Sequence, residues 1–115
     1  MMFYDYKYGN KKITVDGITF ASGREAARYC ELKFLEKSGE ITDLELQKEF
    51  VLIPAQYDKK KKCIERACKY IADFCYYDKR EKKHVVEDAK GFKTKDYIIK
   101  RKLMLYVHGI RIVEI

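Results

Sequence analysis

The sequence predicts an α/β protein: a mixed β-sheet flanked by two helices, with an N-terminal β-hairpin. Three observations predict it. Two short alternating runs flank an Asp-Gly turn near the N-terminus, two stretches repeat apolar residues at helical spacing, and the segments between them are rich in β-branched and aromatic residues. With 115 residues there is room for one core. Residues 1–115 therefore read as a single domain, in which 1–20 form an N-terminal arm and hairpin and 22–115 the main body.

Lys12 to Phe20 reads as the hairpin, because Asp16-Gly17 tolerates the positive φ angles of a tight turn. Ser22 opens the first helix: Ser22-Gly23-Arg24-Glu25 has capping-box spacing, and Ala26, Tyr29, Cys30, Leu32 and Leu35 follow at a helical period until Ser38-Gly39. Leu44 to Ile53 is the expected first strand of the main sheet, stopped by Pro54, which has no N–H to pair. Gln56 to Lys62 is polar, carries the run Lys59 to Lys62, and reads as a surface loop. A longer strand, Arg66 through Tyr77, holds the β-formers Tyr70, Ile71, Phe74, Tyr76 and Tyr77. The charged link Asp78 to Lys83 is short enough to make the next run, His84 to Lys90, its antiparallel neighbour. A second helix from about Lys95 to Val107 would share Ile99, Leu103 and Tyr106 along one face, and after Gly109 a terminal strand spans Ile110 to Ile115.

The hydrophobic fraction, 47%, is large enough to offset chain entropy despite 37% charged residues, which argues against disorder. Lys and Arg outnumber Asp and Glu 25 to 18, giving a net charge of +7. That excess fits a polyanionic partner, nucleic acid ahead of membrane, and it fits a solvated surface equally well. No apolar stretch approaches the ~20 residues that span a bilayer, and the tyrosine-rich segment Met1 to Asn10 lacks the form of a signal peptide, so a cytoplasmic protein is expected. Cys30, Cys63, Cys68 and Cys75 form no C-x-x-C pair, and His84 and His108 lie far from ligand-like spacing. A zinc site is not expected, and the thiols read as small apolar residues.

Side chains alternate faces along a strand, so in Val85-Val86-Glu87-Asp88-Ala89-Lys90 the side chains of Asp88 and Lys90 share one face while Glu87 takes the other. The preceding strand carries Asp73 inside the apolar run Tyr70-Ile71-Ala72-Asp73-Phe74. Carboxylates desolvated without partners are costly, and two aspartates converging on one point call for a cation, a hard divalent ion with oxygen ligands such as Mg²⁺. A cross-strand salt bridge between Asp73 and Lys90 is the plainer alternative.

This arrangement resembles the PD-(D/E)xK nuclease superfamily, in which a helix glutamate precedes a strand aspartate and a (D/E)-x-K on the next strand. Phe20-Ala21-Ser22-Gly23-Arg24-Glu25-Ala26 is similar to the start of the helix with its glutamate, Tyr70 to Phe74 to the first metal-binding strand, and Val86-Glu87-Asp88-Ala89-Lys90-Gly91 to the second. More closely, the chain resembles a group of small phage-encoded members related in style to Holliday junction resolvases. Ala72 stands where the superfamily's name has proline, and acids occupy both 87 and 88; alternation selects Asp88.

The resemblance implies a restriction-endonuclease-like fold and a Mg²⁺-dependent DNA endonuclease, with Mn²⁺ as a substitute, that leaves 5′-phosphate and 3′-hydroxyl ends. It implies catalytic residues Glu25, Asp73, Asp88 and Lys90, and metal ligation by Asp73, Asp88, the carbonyl of Ala89 and Glu25. Glu25 also has a plain role as the capping partner of Ser22. Gln47 is similar to a strand glutamine that some relatives place beside the metal, or is an exposed polar residue. Lys93, Tyr97 and Lys100, spaced along one helical face, and Lys60 and Lys61 are the candidate DNA contacts. Branched DNA is the implied substrate, and a homodimer the implied assembly, since one site cuts one strand. The alternatives are a sequence-tolerant nicking or duplex nuclease, and an inactive basic DNA-binding protein on the same fold.

Overall fold

The computed structural model describes residues 12–115. The tyrosine-rich N-terminus, a candidate dimer or DNA surface by sequence, lies outside the described residues. Strands β1 (Ile13–Val15) and β2 (Ile18–Phe20) form the expected hairpin, with Asp16 and Gly17 at φ 53° and 77°. Helix α1 (Gly23–Lys37) follows. The Ser22 hydroxyl caps it by accepting from the Glu25 N–H at 3.2 Å, and Gly39 at φ 81° lets the chain turn away.

A four-stranded sheet has the order β3 (Ile41–Ile53), β6 (Cys68–Asp78), β7 (Lys83–Asp88), β8 (Val113–Glu114). The first three are antiparallel and β8 runs parallel to β7, so the sheet is mixed, as the sequence predicts. Between β3 and β6 the chain forms a separate ribbon of β4 (Gln56–Tyr57) and β5 (Cys63–Glu65). After β7, α2 (Lys95–Leu103) is capped by the Thr94 hydroxyl and runs into a π-helical turn, Met104–His108.

The two helices cover opposite faces of the sheet. α1 and the hairpin bring Phe20, Ala26, Tyr29 and Leu32 against Ile41, Phe74, Tyr76 and Val85. On the other face α2 brings Tyr97 and Met104 against Leu52, Tyr70, Ala72, Cys75 and Val86. Each fully buried large apolar side chain contributes about 1.5–3 kcal/mol, so these two clusters hold the layers together. The face presented by β6 changes at Asp73: Tyr70 and Ala72 pack with Cys75 under α2, whereas Phe74 packs with Tyr76 under α1. Opposite this point on β3, Gln47 takes φ 53°, a conformation that breaks the regular pleat.

Five expectations need correction. The segment 56–62 is not simply a loop, because Gln56 pairs with Glu65 and Tyr57 with Cys63, continuing the β3–β6 hairpin past Pro54. The first strand begins at Ile41 rather than Leu44, and β7 ends at Asp88 rather than Lys90. The terminal strand shrinks to two residues. The buried face of α2 is Tyr97 and Met104, seven residues apart; Ile99 is exposed because it lies on the opposite side of that helix, and Tyr106 because the π-helical turn rotates the last residues away from an α-helical register. No helix is long and apolar enough to cross a membrane among the described residues.

Candidate active site

Strand β7 splits its two acids between the two faces of the sheet, as alternation requires. Glu87, 1% exposed, points toward α1, where Arg28 meets it and the Tyr76 hydroxyl donates to it. Asp88, 2% exposed, points the other way and accepts from the Tyr70 hydroxyl. The break in the alternation of β6 is what lets Tyr70 and Asp73 serve the same acid.

Asp73 is held from two sides. The Ala89 N–H donates to its Oδ2 at 2.9 Å and the Gln47 amide donates to its Oδ1 at 3.3 Å. Lys90 lies past the end of β7, yet its backbone is held beside the last residue described: its N–H donates to the Ile115 carbonyl at 3.3 Å and the Ile115 N–H donates to the Asp88 carbonyl at 3.0 Å. Its ammonium sits 3.5 Å from Asp88 Oδ1 and 4.6 Å over the Tyr97 ring. Glu25, half-buried in the first turn of α1, is close enough to Asp88 and Lys90 to feel both charges.

Electrostatics follow from this crowding. Burial pushes the Asp88 carboxyl up to about 6; the neighbouring Asp73 adds to the rise, while Tyr70 and Lys90 oppose it. Glu25 is also raised, first by burial, then by Asp88, with Lys90 pulling the other way. Burial and the hydrogen bond to Asp88 together hold the Tyr70 phenol protonated far above its ordinary range, so it stays a donor. A cleft of about 270 Å³ opens beside these groups, lined by Lys69, Tyr70, Asp88, Lys90, Tyr97 and Lys100.

The site therefore brings Gln47 from β3, Asp73 from β6, and Asp88 and Lys90 from the end of β7 next to one another, with Glu25 of α1 within electrostatic range. Glu25 serves in two ways, its N–H in the helix cap and its carboxyl in the field of Asp88 and Lys90. The candidate DNA contacts divide. Lys100 lines the cleft, but Lys93 lies 3.8 Å from Glu114, and Tyr97 is buried with its hydroxyl donating to Glu114 at 2.7 Å. Tyr97 is thus a floor for Lys90 rather than an exposed surface. Lys60 and Lys61 lie away from the cleft, at the tip of the β4–β5 ribbon. Tyr70, Arg28 and Tyr76 are the participants that sequence reasoning misses; an Arg three residues after Glu25 is the one visible clue.

The donor set suits a hard cation: two aspartates whose lone pairs are not all used, and a carboxyl whose ionisation is opposed by burial and by a like charge. Among the described residues no three His, Cys, Asp or Glu side chains come together closely enough to hold a metal ion by themselves. Mg²⁺ does not require one, since it commonly keeps several waters and takes one or two carboxylates plus substrate phosphate oxygens.

Comparisons among curated proteins and among solved structures gave no match. A family model described as "Protein of unknown function (DUF1064)" matches residues 5–111, nearly the whole chain, and the protein belongs to that family.

Proposed function

We propose that the protein is a Mg²⁺-dependent DNA endonuclease, selective for branched DNA in the manner of a Holliday junction resolvase. The supporting observation is the convergence of Glu25, Gln47, Asp73, Asp88 and Lys90, drawn from four separate elements, beside a cleft bordered by Lys69 and Lys100. Asp73 and Asp88, with the Ala89 carbonyl and Glu25, would hold the ion, which supplies charge neutralisation at the scissile phosphate and a more acidic bound water. Mn²⁺ would substitute for it.

The chain's own groups account for the remaining tasks. Gln47 and the Ala89 N–H fix the Asp73 carboxylate, and Tyr70 fixes Asp88, so neither acid has to reorganise when substrate arrives. The Lys90 ammonium, held between Asp88 and the Tyr97 ring, is placed to donate to a phosphate oxygen or to the attacking water as negative charge develops. Glu25, which feels the charges of Asp88 and Lys90, would accept a hydrogen bond from that water. The products would carry 5′-phosphate and 3′-hydroxyl ends. One cleft cuts one strand, so a two-fold dimer is the simplest assembly for a duplex or junction. Its place of action would be the cytoplasm, the host cell's if the protein is phage-encoded.

A second reading, an inactive DNA-binding protein on the same fold, draws on the 3.5 Å Asp88–Lys90 pair and the two internal hydrogen bonds of Asp73, which leave these groups partly satisfied without an ion. Incubating a four-way junction and a matched linear duplex with the protein, with and without Mg²⁺, separates the readings. Metal-dependent cleavage favouring the junction supports the resolvase; equal cleavage of both supports a nicking or duplex nuclease; no cleavage of flapped, single-stranded, branched or linear DNA leaves the binding protein.

A further inference from the structure

The β4–β5 ribbon continues the β3–β6 hairpin outward, past Pro54 on one strand and Arg66-Ala67 on the other. Its tip is ordered by one side chain. Asp58 Oδ1 accepts from the N–H groups of Lys60 and Lys62, each at 2.9 Å, while its backbone exchanges hydrogen bonds with Lys61 and Lys62 and Lys61 takes φ 64°. The result is a compact turn that carries four consecutive lysines, Lys59 to Lys62, all exposed.

None of these four ammonium groups, nor Arg66, has an acidic partner among the described residues. Elsewhere among the described residues Lys33, Lys48, Lys69, Lys83 and Lys93 each lie within 4.0 Å of a glutamate, and the lysines without an acidic partner, such as Lys37, Lys79, Lys95 and Lys102, are scattered rather than consecutive. Four adjacent like charges repel one another, and a second copy of the same tip would add to that repulsion, so the surface favours a polyanion over self-association. Tyr57 and Ile64 on the same ribbon are 61% and 60% exposed, offering apolar area next to the charges. A two-stranded ribbon is also narrow enough to enter the major groove of B-DNA.

We propose that the β4–β5 ribbon is a DNA-gripping arm, whose lysine tip binds backbone phosphates within about one helical turn of the catalytic cleft. The distance follows from chain geometry. Lys62 lies eleven residues before Asp73, so its backbone can be no more than about 40 Å from that residue, near the length of one turn of duplex. The location of the cut relative to the arm rests on the nuclease reading; the arm's binding of DNA does not.

The test is salt-dependent binding of a duplex, without metal and in an Asp73→Asn background, by the variant K59Q/K60Q/K61Q/K62Q. Removing four ammonium groups that neutralise phosphates should flatten the plot of log affinity against log salt by about 3 to 4 units and weaken binding by on the order of 100-fold at moderate salt. Replacing the same lysines by arginine should keep the slope, and the pairs K59Q/K60Q and K61Q/K62Q should each lose about half of it. Hydroxyl-radical footprinting should show protection about one turn from the cleft that vanishes in the fourfold variant. A slope unchanged in the glutamine variant, with the same melting temperature, overturns the proposal. So does tip-dependent binding to phosphatidylserine vesicles without any effect on DNA. Because cleavage is not measured, an inactive wild type would sink the nuclease reading and leave this result standing.

Discussion

Arg28 meets Glu87 through two parallel hydrogen bonds, Nε to Oε1 at 2.8 Å and Nη2 to Oε2 at 2.6 Å, across the interface between α1 and the sheet. Arg28 lies one helical turn after Glu25, and Glu87 immediately before Asp88. A fork-shaped clamp on one face of the sheet thereby ties the helical turn that carries Glu25 to the strand that carries Asp88. Arg28→Ala would strand a carboxylate that is almost fully buried, and should destabilise the fold by about 3 kcal/mol. Arg28→Lys should recover part of that, because an ammonium cannot span both oxygens. Urea denaturation with an unchanged m-value measures both.

Lys90→Ala should lower the cleavage rate at saturating DNA by about 100-fold or more while changing DNA affinity by less than about twofold. The ammonium faces charge that grows only as the phosphate reacts, so its loss is felt in the transition state. Full activity in this variant, measured in single-turnover reactions, would remove the mechanism.

Asp88 carries a cost that depends on pH. Its folded value of about 6 lies above the ordinary 3.8, so between these values the folded state holds more protons than the unfolded chain. Its contribution to stability therefore falls as pH rises through that window, by up to about 3 kcal/mol. Asp88→Asn should raise the melting temperature at pH 8 and have little effect at pH 4. An equal gain at both values would contradict the assignment. Mg²⁺ affinity should run the opposite way, strengthening from pH 5 to pH 7 as the carboxyl ionises.

Mg²⁺ or Mn²⁺ should stabilise the wild type by about 2.7 kcal/mol at 100 times the dissociation constant. Asp73→Ala should abolish that gain, which thermal melts with and without the ion will show.

Much of this arrangement is legible in the sequence because its signals are local. The Asp16-Gly17 turn, the Ser22 cap and the alternation that separates Glu87 from Asp88 each depend on only a few neighbouring residues. The Tyr70 hydrogen bond is hidden for the opposite reason. Strict alternation places Tyr70 and Asp73 on different faces, and only the break in β6, opposite Gln47 at φ 53°, brings both to Asp88. The ribbon is hidden by composition, since Pro54 and four lysines read as a loop unless the pairing of Gln56 with Glu65 is known. Similarly, a helical wheel for α2 assumes one period throughout, and the π-helical turn changes it at Met104. Gln47 reads as readily as an ordinary exposed residue, because its role depends on a partner 26 positions away.

Ile115 has a use beyond closing the sheet. By exchanging hydrogen bonds with Asp88 and Lys90, and receiving one from Arg24 at 3.3 Å, it acts as a latch on the segment that carries the acid and the ammonium. Ile115→Pro, which removes the N–H given to the Asp88 carbonyl, would release that latch while leaving the side chains of Asp88 and Lys90 themselves unchanged.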